Sequence, residues 1–251
     1  MKTVGIIPAR LKSSRLPEKL LLSDTGKPLI QYVWETARRC PALDDVIIAT
    51  DSERIQDVVA AFGGRAELTG DHPSGSDRVA EVAERCCADA DVIVNLQGDE
   101  PELEESTVQA LVDSIRNSGA DMATVAAPLT SAESVQSPDC VKVVVNDAGQ
   151  AMYFSRSVVP FPRGQSVEDI LNGPAPSPWL LHVGLYAYRP KFLFRMTSLP
   201  PSSLEQLEKL EQLRALQSGG VISVAVVERA AVGIDTAEDY EAFVRRVSAG
   251  I

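Results

Sequence analysis

The chain has 251 residues, 45% of them hydrophobic, and its Asp and Glu outnumber Lys and Arg by 35 to 24, a formal charge of −11 at pH 7. That length and apolar content suffice for one full core, and the acidic balance argues against a general nucleic-acid or anionic-membrane surface, which needs spread positive charge. No uninterrupted apolar run approaches the roughly 18 to 20 residues that span a bilayer, and the amino end has no charged leader before a long apolar core, so the expectation is one domain over 1–251 in the cytoplasm.

Val4 to Ile7 is a short apolar run of the buried-strand type, and it opens directly into a loop carrying Arg10, Lys12, Arg15 and Lys19. Guanidinium forks match phosphate oxygens, lysine adds a compact charge, and the Ser13 and Ser14 hydroxyls add neutral donors. The loop leaves the carboxyl end of a strand, where open α/β sheets bind ligands. It reads either as a polyphosphate site or as solvated charged surface; neither a Walker pattern nor GxGxxG is present.

After Gly26 and Pro28, the positions Leu29, Ile30, Val33, Trp34 and Ala37 recur at helical spacing. Val46 to Ala49 is a second strand. Ser52 caps a helix with Ile55, Val58, Val59 and Phe62 on its apolar face, stopped by Gly63-Gly64. A helix carrying Val79, Val82, Ala83 and Cys86 leads to the strand Val92 to Leu96. Another with Val108, Leu111, Val112 and Ile115 leads to Met122 to Ala126. Apolar strands separated by amphipathic helices imply a parallel sheet covered on both faces. Directly after the strand at 92–96 comes Gln97-Gly98-Asp99-Glu100-Pro101, where Asp99 serves either a turn or a Mg²⁺ bridging phosphate oxygens.

The second half changes rhythm. Val141 to Val145, the turn Asp147-Ala148-Gly149 and Ala151 to Phe154 predict an antiparallel hairpin, and Leu180 to Tyr188 is strand-like. This region, 141–195, is expected to form an antiparallel excursion building a lid or a dimer face. Pro160 to Pro178, rich in Pro, Gly and Ser, reads as a mobile loop. A helix is expected from Ser203 to near Gly219-Gly220, then the strand Ile222 to Val226, then a final helix opened by a Thr236/Asp239 capping box. Asp235, just before that box, fits either helix-entry chemistry or a metal shared with Asp99. Cys40, Cys86, Cys87 and Cys140 show no zinc or redox spacing.

Taken in order, these segments resemble a known family. Ile7-Pro8-Ala9-Arg10 with Ser14-Arg15-Leu16-Pro17 and Lys19, Ser74-Gly75-Ser76-Asp77-Arg78, Asn95 to Pro101, Tyr153-Phe154-Ser155-Arg156, His182-Val183-Gly184-Leu185-Tyr186, Leu210 to Arg214 and Gly233 to Asp239 resemble the 3-deoxy-manno-octulosonate (Kdo) cytidylyltransferases. The resemblance runs from residue 4 to about 245. It implies a Rossmann-like nucleotide-diphospho-sugar transferase fold, and a reaction in which the 2-hydroxyl of Kdo attacks the α-phosphorus of CTP to give CMP-Kdo and pyrophosphate, for lipopolysaccharide or a related surface polysaccharide. It also implies a homodimer.

On that resemblance Pro8, Ala9, Arg10, Ser14, Arg15, Lys19, Ser76, Arg78, Gln97 and Asp99 bind the nucleotide, with Arg15, Lys19, Asp99 and Asp235 catalytic and Asp99 and Asp235 holding Mg²⁺. Arg78, Gln97, Arg163, His182, Tyr186 and Glu211 bind the sugar acid. By spacing alone, His182 and Tyr186 share one strand face and suit either core packing or a ligand. Glu211 falls close to Leu207 on a single expected helix, where a carboxylate interrupts the apolar stripe and either pairs with Arg214 or binds hydroxyls.

The family usually has Gly between Pro17 and Lys19, where this chain has Glu18. The substitution removes freedom at positive φ and sets a carboxylate beside Lys19, which weakens triphosphate binding unless it points outward. Ser76-Asp77 stands where Thr-Glu is usual. Other sugar nucleotidyltransferases share a basic loop after the first strand, and a non-catalytic CTP-binding module is the alternative outside the enzymes.

Overall fold

Apolar runs of four to seven residues become the spine of the protein. In the computed structural model, which describes residues 1–13 and 15–250, the elements follow in order as β1 (Thr3–Ala9), a 3-10 turn (Lys19–Leu21), α1 (Leu29–Arg39), β2 (Asp45–Thr50), α2 (Glu53–Ala61), β3 (Arg65–Leu68), α3 (Gly75–Cys86), β4 (Val92–Asn95), α4 (Glu105–Ser118), β5 (Met122–Pro128), α5 (Ala132–Gln136), β6 (Lys142–Val145), β7 (Ala151–Ser155), α6 (Val167–Leu171), β8 (Leu180–Tyr188), α7 (Pro190–Ser198), α8 (Ser203–Glu208), α9 (Gln212–Gln217), β9 (Ile222–Val226) and α10 (Ala237–Ala249). Two compact units emerge. The first comprises residues 1–109, 189–197 and Ala231 onward; the second comprises 110–188 and 198–230.

The first unit is the α/β layer that the sequence predicts. Its strands run in the order β3-β2-β1-β4, all parallel, with Ile6 opposite Ile47 on one side and Asn95 on the other. Helix α1 buries Leu29, Ile30, Val33 and Ala37. Ser52 caps α2 by accepting from the Ile55 amide, and Gly63 at φ +82° ends that helix in the left-handed conformation only glycine adopts freely. The capping box of α10 is formed as expected, Thr236 and Asp239 satisfying each other's backbone amides. Helix α10 docks on α1 through Leu29, Ile234, Tyr240 and Phe243, with the Phe243 ring edge-on to Tyr32 at 5.1 Å. One strand was not anticipated: β3, Arg-Ala-Glu-Leu, is an edge strand with no residue fully buried, so it lacks the apolar signature of its neighbours.

In the second unit β5 lies between β8, antiparallel, and β9, parallel, and the hairpin β6–β7 joins through β6 to β8. The hairpin matches the sequence reading. Strand β8, read there as part of an excursion, is instead paired with the whole length of β5, with an irregularity between Thr124 and Val125. The stretch 160–178, read as an aperiodic loop, contains the short helix α6, capped reciprocally by Ser166 and Asp169. Val167 and Trp179 pack there against Leu129 and Val135, and the Trp179 indole donates to the Pro160 carbonyl at 3.0 Å. The single helix expected from Ser203 to Gly219 is two. The first, α8, does start at Ser203, capped by Ser202, and Lys209 at φ +56° breaks the chain before α9.

Candidate functional site

In the first unit a cavity of about 350 Å³ opens beyond the carboxyl ends of β1 and β4, the location where parallel sheets bind ligands. Its wall includes Pro8, Ala9, Arg10, Arg15, Lys19, Arg78, Gln97, Asp99 and Asp235, nine positions expected from the sequence. Ser14 lies outside the described residues. Ser76 is buried in the first turn of α3 and does not line the cavity; its neighbours Ser74 and Gly75 do, together with His72. His72 meets the carboxylate of Glu81 at 2.6 Å, and that hydrogen bond holds Glu81 below the usual carboxylate range.

The charges converge. Lys19, almost fully buried, donates from Nζ to Asp99 Oδ2 at 2.6 Å and to Asp235 Oδ1 at 3.1 Å, and Arg15 Nη2 reaches the same Asp235 oxygen at 3.0 Å. Two carboxylates far apart in the sequence are thus within reach of one ammonium. Local structure explains how: the Ile234 amide donates to the Asp99 carbonyl at 2.9 Å, and Ile234 is anchored in the α1–α10 core. Asp235 is therefore carried to Asp99 by main chain and packing, and the Thr236 capping box holds the loop that presents it. Arg78, buried at the cavity wall, is oriented by Asp51 at 2.8 Å and by the Thr69 hydroxyl.

Glu18 does adopt the left-handed conformation, φ +53°, despite its side chain. Its carboxylate pairs with Arg54 of α2, leaving Lys19 to Asp99 and Asp235. The outward orientation that triphosphate binding requires is the one observed. Beside Asp99, Glu100 has a buried carboxylate oxygen with no hydrogen-bond partner, and burial, reinforced by the charge of Asp99, raises its pKa to about 8.

The sugar-binding candidates of the second unit form a separate arrangement. His182 and Tyr186 do share a face, their rings 5.6 Å apart, with Phe154 edge-on to His182 at 4.8 Å. Gln212, buried at the start of α9, joins them: its amide nitrogen faces His182 Nδ1 at 3.4 Å and its oxygen accepts from the Tyr186 hydroxyl at 3.3 Å. His182 Nε2 lies 3.0 Å from the Thr124 hydroxyl, which itself donates to the carbonyls of β8. The ring is therefore neutral, with its hydrogen on Nε2, and burial lowers its pKa to about 3. Glu211 is not on a helix with Leu207. It stands at the entry of α9 while Leu207 is 78% exposed on α8, so the apolar-stripe argument does not hold; nor does Arg214 pair with it, being bound by Glu205. Arg163 is exposed on the segment before α6. Gln212, Arg54 and Asp51 escaped the sequence reading because each acts by orienting another side chain, which no spacing reveals.

A family model described as cytidylyltransferase matches residues 4–227. The 3-deoxy-manno-octulosonate cytidylyltransferase of Rhodopirellula baltica is 46% identical over 249 residues, 98% of this chain and 99% of the relative; that of Haemophilus ducreyi is 48% identical over 242, 95% of each. A solved structure of CMP:2-keto-3-deoxy-manno-octonic acid synthetase complexed with CTP superposes with a TM-score of 0.91 at 40% identity, covering 100% of both chains. The chain belongs to the 3-deoxy-manno-octulosonate cytidylyltransferase family.

Proposed function

We propose that this protein transfers CMP from CTP to the 2-hydroxyl of Kdo, using the first-unit cavity for the triphosphate. The observation that carries the site assignment is the meeting of Lys19 with Asp99 and Asp235 beside Arg10, Arg15 and Arg78. A polyphosphate needs the cations, and a divalent ion shared with it needs one or two carboxylates.

In the reaction the Kdo 2-hydroxyl gives its proton to solvent water, its oxygen bonds to the α-phosphorus, and the bond from that phosphorus to the bridging oxygen of the β-phosphate breaks. Pyrophosphate leaves with the electron pair. Arg10, Arg15 and Lys19 bind the triphosphate and stabilise charge building on that leaving group, work that fixed cations do best in a cavity removed from bulk water. Arg78, held by Asp51, and Gln97 orient the nucleotide and the sugar. His182, Tyr186, Glu211 and Arg163 are assigned to the acidic sugar; both ring nitrogens of the neutral His182 are engaged, by Thr124 and Gln212, so its part is to hold the Gln212 and Tyr186 side chains in place.

The donor set suits Mg²⁺: two Asp carboxylates already focus on one cation, the Lys19 ammonium, and all ligands are hard oxygens. Asp99 and Asp235 would hold the ion, which when bound supplies Lewis-acid charge at the phosphate oxygens. Among the described residues no group of three or more His, Cys, Asp or Glu is placed to hold a metal ion by itself. We also take the protein to be cytoplasmic and homodimeric through 141–195, where Met152 and Phe161 expose large apolar side chains. No helix among the described residues is long and apolar enough to cross a membrane.

The test is pyrophosphate release with CTP, Mg²⁺ and Kdo, run beside mixtures lacking sugar, with sialic acid for Kdo, and with UTP or ATP for CTP. Release only with CTP and Kdo is expected. Silence with every acceptor from folded, CTP-binding protein would overturn the reading in favour of a binding module.

A further inference from the structure

Resting on the metal assignment above, we propose that Lys19 and Arg15 are internal counter-ions that close the Asp99–Asp235 pair to a free divalent cation, so that the metal enters only together with a triphosphate.

Three contacts carry this. Lys19 Nζ bridges Asp99 at 2.6 Å and Asp235 at 3.1 Å, and Arg15 adds a second cation on Asp235 at 3.0 Å. Two negative charges thus meet two positive ones, and a lone divalent ion finds its ligand oxygens neutralised. It cannot share them, because an ammonium and a metal ion on the same oxygens repel each other. Nor can Lys19 simply step aside. Its side chain is 9% exposed, so leaving the carboxylates would strand a buried charge. Neighbouring Glu18 offers no refuge, its carboxylate being engaged by Arg54.

Lys19 therefore needs a replacement anion within the cavity before it releases the carboxylates. A triphosphate is such an anion. As it enters, Lys19 and Arg15 exchange carboxylate oxygens for phosphate oxygens, and the accompanying divalent ion takes Asp99 and Asp235. Each cation and each carboxylate keeps an opposite charge as its partner throughout.

The probe is Mn²⁺ alone, with free ion counted by its electron paramagnetic resonance signal, titrated into metal-free protein. Wild type is expected to bind it weakly, and Lys19→Met at least tenfold more tightly, with the gain abolished by adding Asp99→Asn. Unchanged or weaker binding in Lys19→Met, where what binds is still lost with Asp99→Asn, overturns the counter-ion role and leaves the metal assignment standing. Tight binding that survives Asp99→Asn overturns both. Should Lys19→Met fail to fold, wild type labelled with ¹³C-lysine answers instead: the Lys19 Cε resonance is expected to move with Mg²⁺ and CTP together and to stay in place with Mg²⁺ alone. Movement with Mg²⁺ alone overturns the proposal.

Discussion

Glu18 and Arg54 form an ion pair that turns a carboxylate of the phosphate loop away from the cavity, while the adjacent Lys19 points into it. A glutamate at this place is compatible with polyphosphate binding because α2 supplies its partner. Arg54→Ala is expected to raise the KM for CTP several-fold with kcat nearly unchanged, by freeing one negative charge beside the triphosphate; the pair itself, being exposed, contributes at most about 1 kcal/mol to stability. Adding Glu18→Gln should restore the KM. If the double variant is no better than Arg54→Ala alone, the pair anchors the loop and does not tune its charge.

Asp99→Asn keeps the shape of the side chain and removes the charge facing Lys19. Turnover is expected to fall at least 100-fold with the unfolding transition of the wild type retained, since exchange of one ligand in a charge-stabilised site costs several kcal/mol of barrier. Steady-state pyrophosphate release and a thermal melt check both halves. Near-normal activity would remove Asp99 from the mechanism.

Phe243 couples stability to the site. It is 2% exposed and packs edge-on against Tyr32 in the cluster that also holds Ile234. Phe243→Ala is expected to cost about 3–5 kcal/mol in chemical denaturation, as other buried Phe truncations do. The surviving folded fraction should show a raised KM for CTP, because Asp235 loses the packing that presents it.

His182 makes stability depend on pH with a definite sign. Its pKa in the fold is about 3 against an ordinary 6.5, so between those values the unfolded chain carries the extra proton. The contribution is present above pH 6.5 and is lost as pH falls toward 3, at up to about 1.4 kcal/mol per pH unit. Denaturant unfolding of wild type and His182→Gln at pH 7 and pH 5 measures it: the variant should lose less stability between the two pH values. Equal losses would exclude His182 as the source.

Lys209 holds φ +56° at the break between α8 and α9, a conformation that costs a residue with a Cβ about 1 kcal/mol. Lys209→Gly is expected to raise the melting temperature slightly and leave kinetics unchanged; a lower melting temperature would place the stabilisation in the lysine side chain.

Much of this was legible from residue order. The parallel strands announced themselves because both faces are buried and every position is apolar, as in Val4 to Ile7, and the caps at Ser52 and Thr236 because their chemistry is local. The cationic loop and the strand-end Asp99 stood out against an acidic background. What sequence could not convey was non-local or energetically weak. Strand β3 is polar because it lies at an edge, so its pairing with β2 has no compositional trace. The break at Lys209 sits on a residue with no preference for positive φ, and the reading of Glu211 failed with it. The orientation of Glu18 depended on Arg54, thirty-six positions away, and the role of Gln212 on two side chains of another element.

The main-chain bond from Ile234 to the Asp99 carbonyl ties the middle of the polypeptide to its last helix. During synthesis the basic loop and Asp99 both precede Asp235, and the helix that seats Asp235 follows it. The two aspartates can therefore meet only after α10 has been made and has packed on α1, so the paired-carboxylate part of the cavity is the last part of it to assemble.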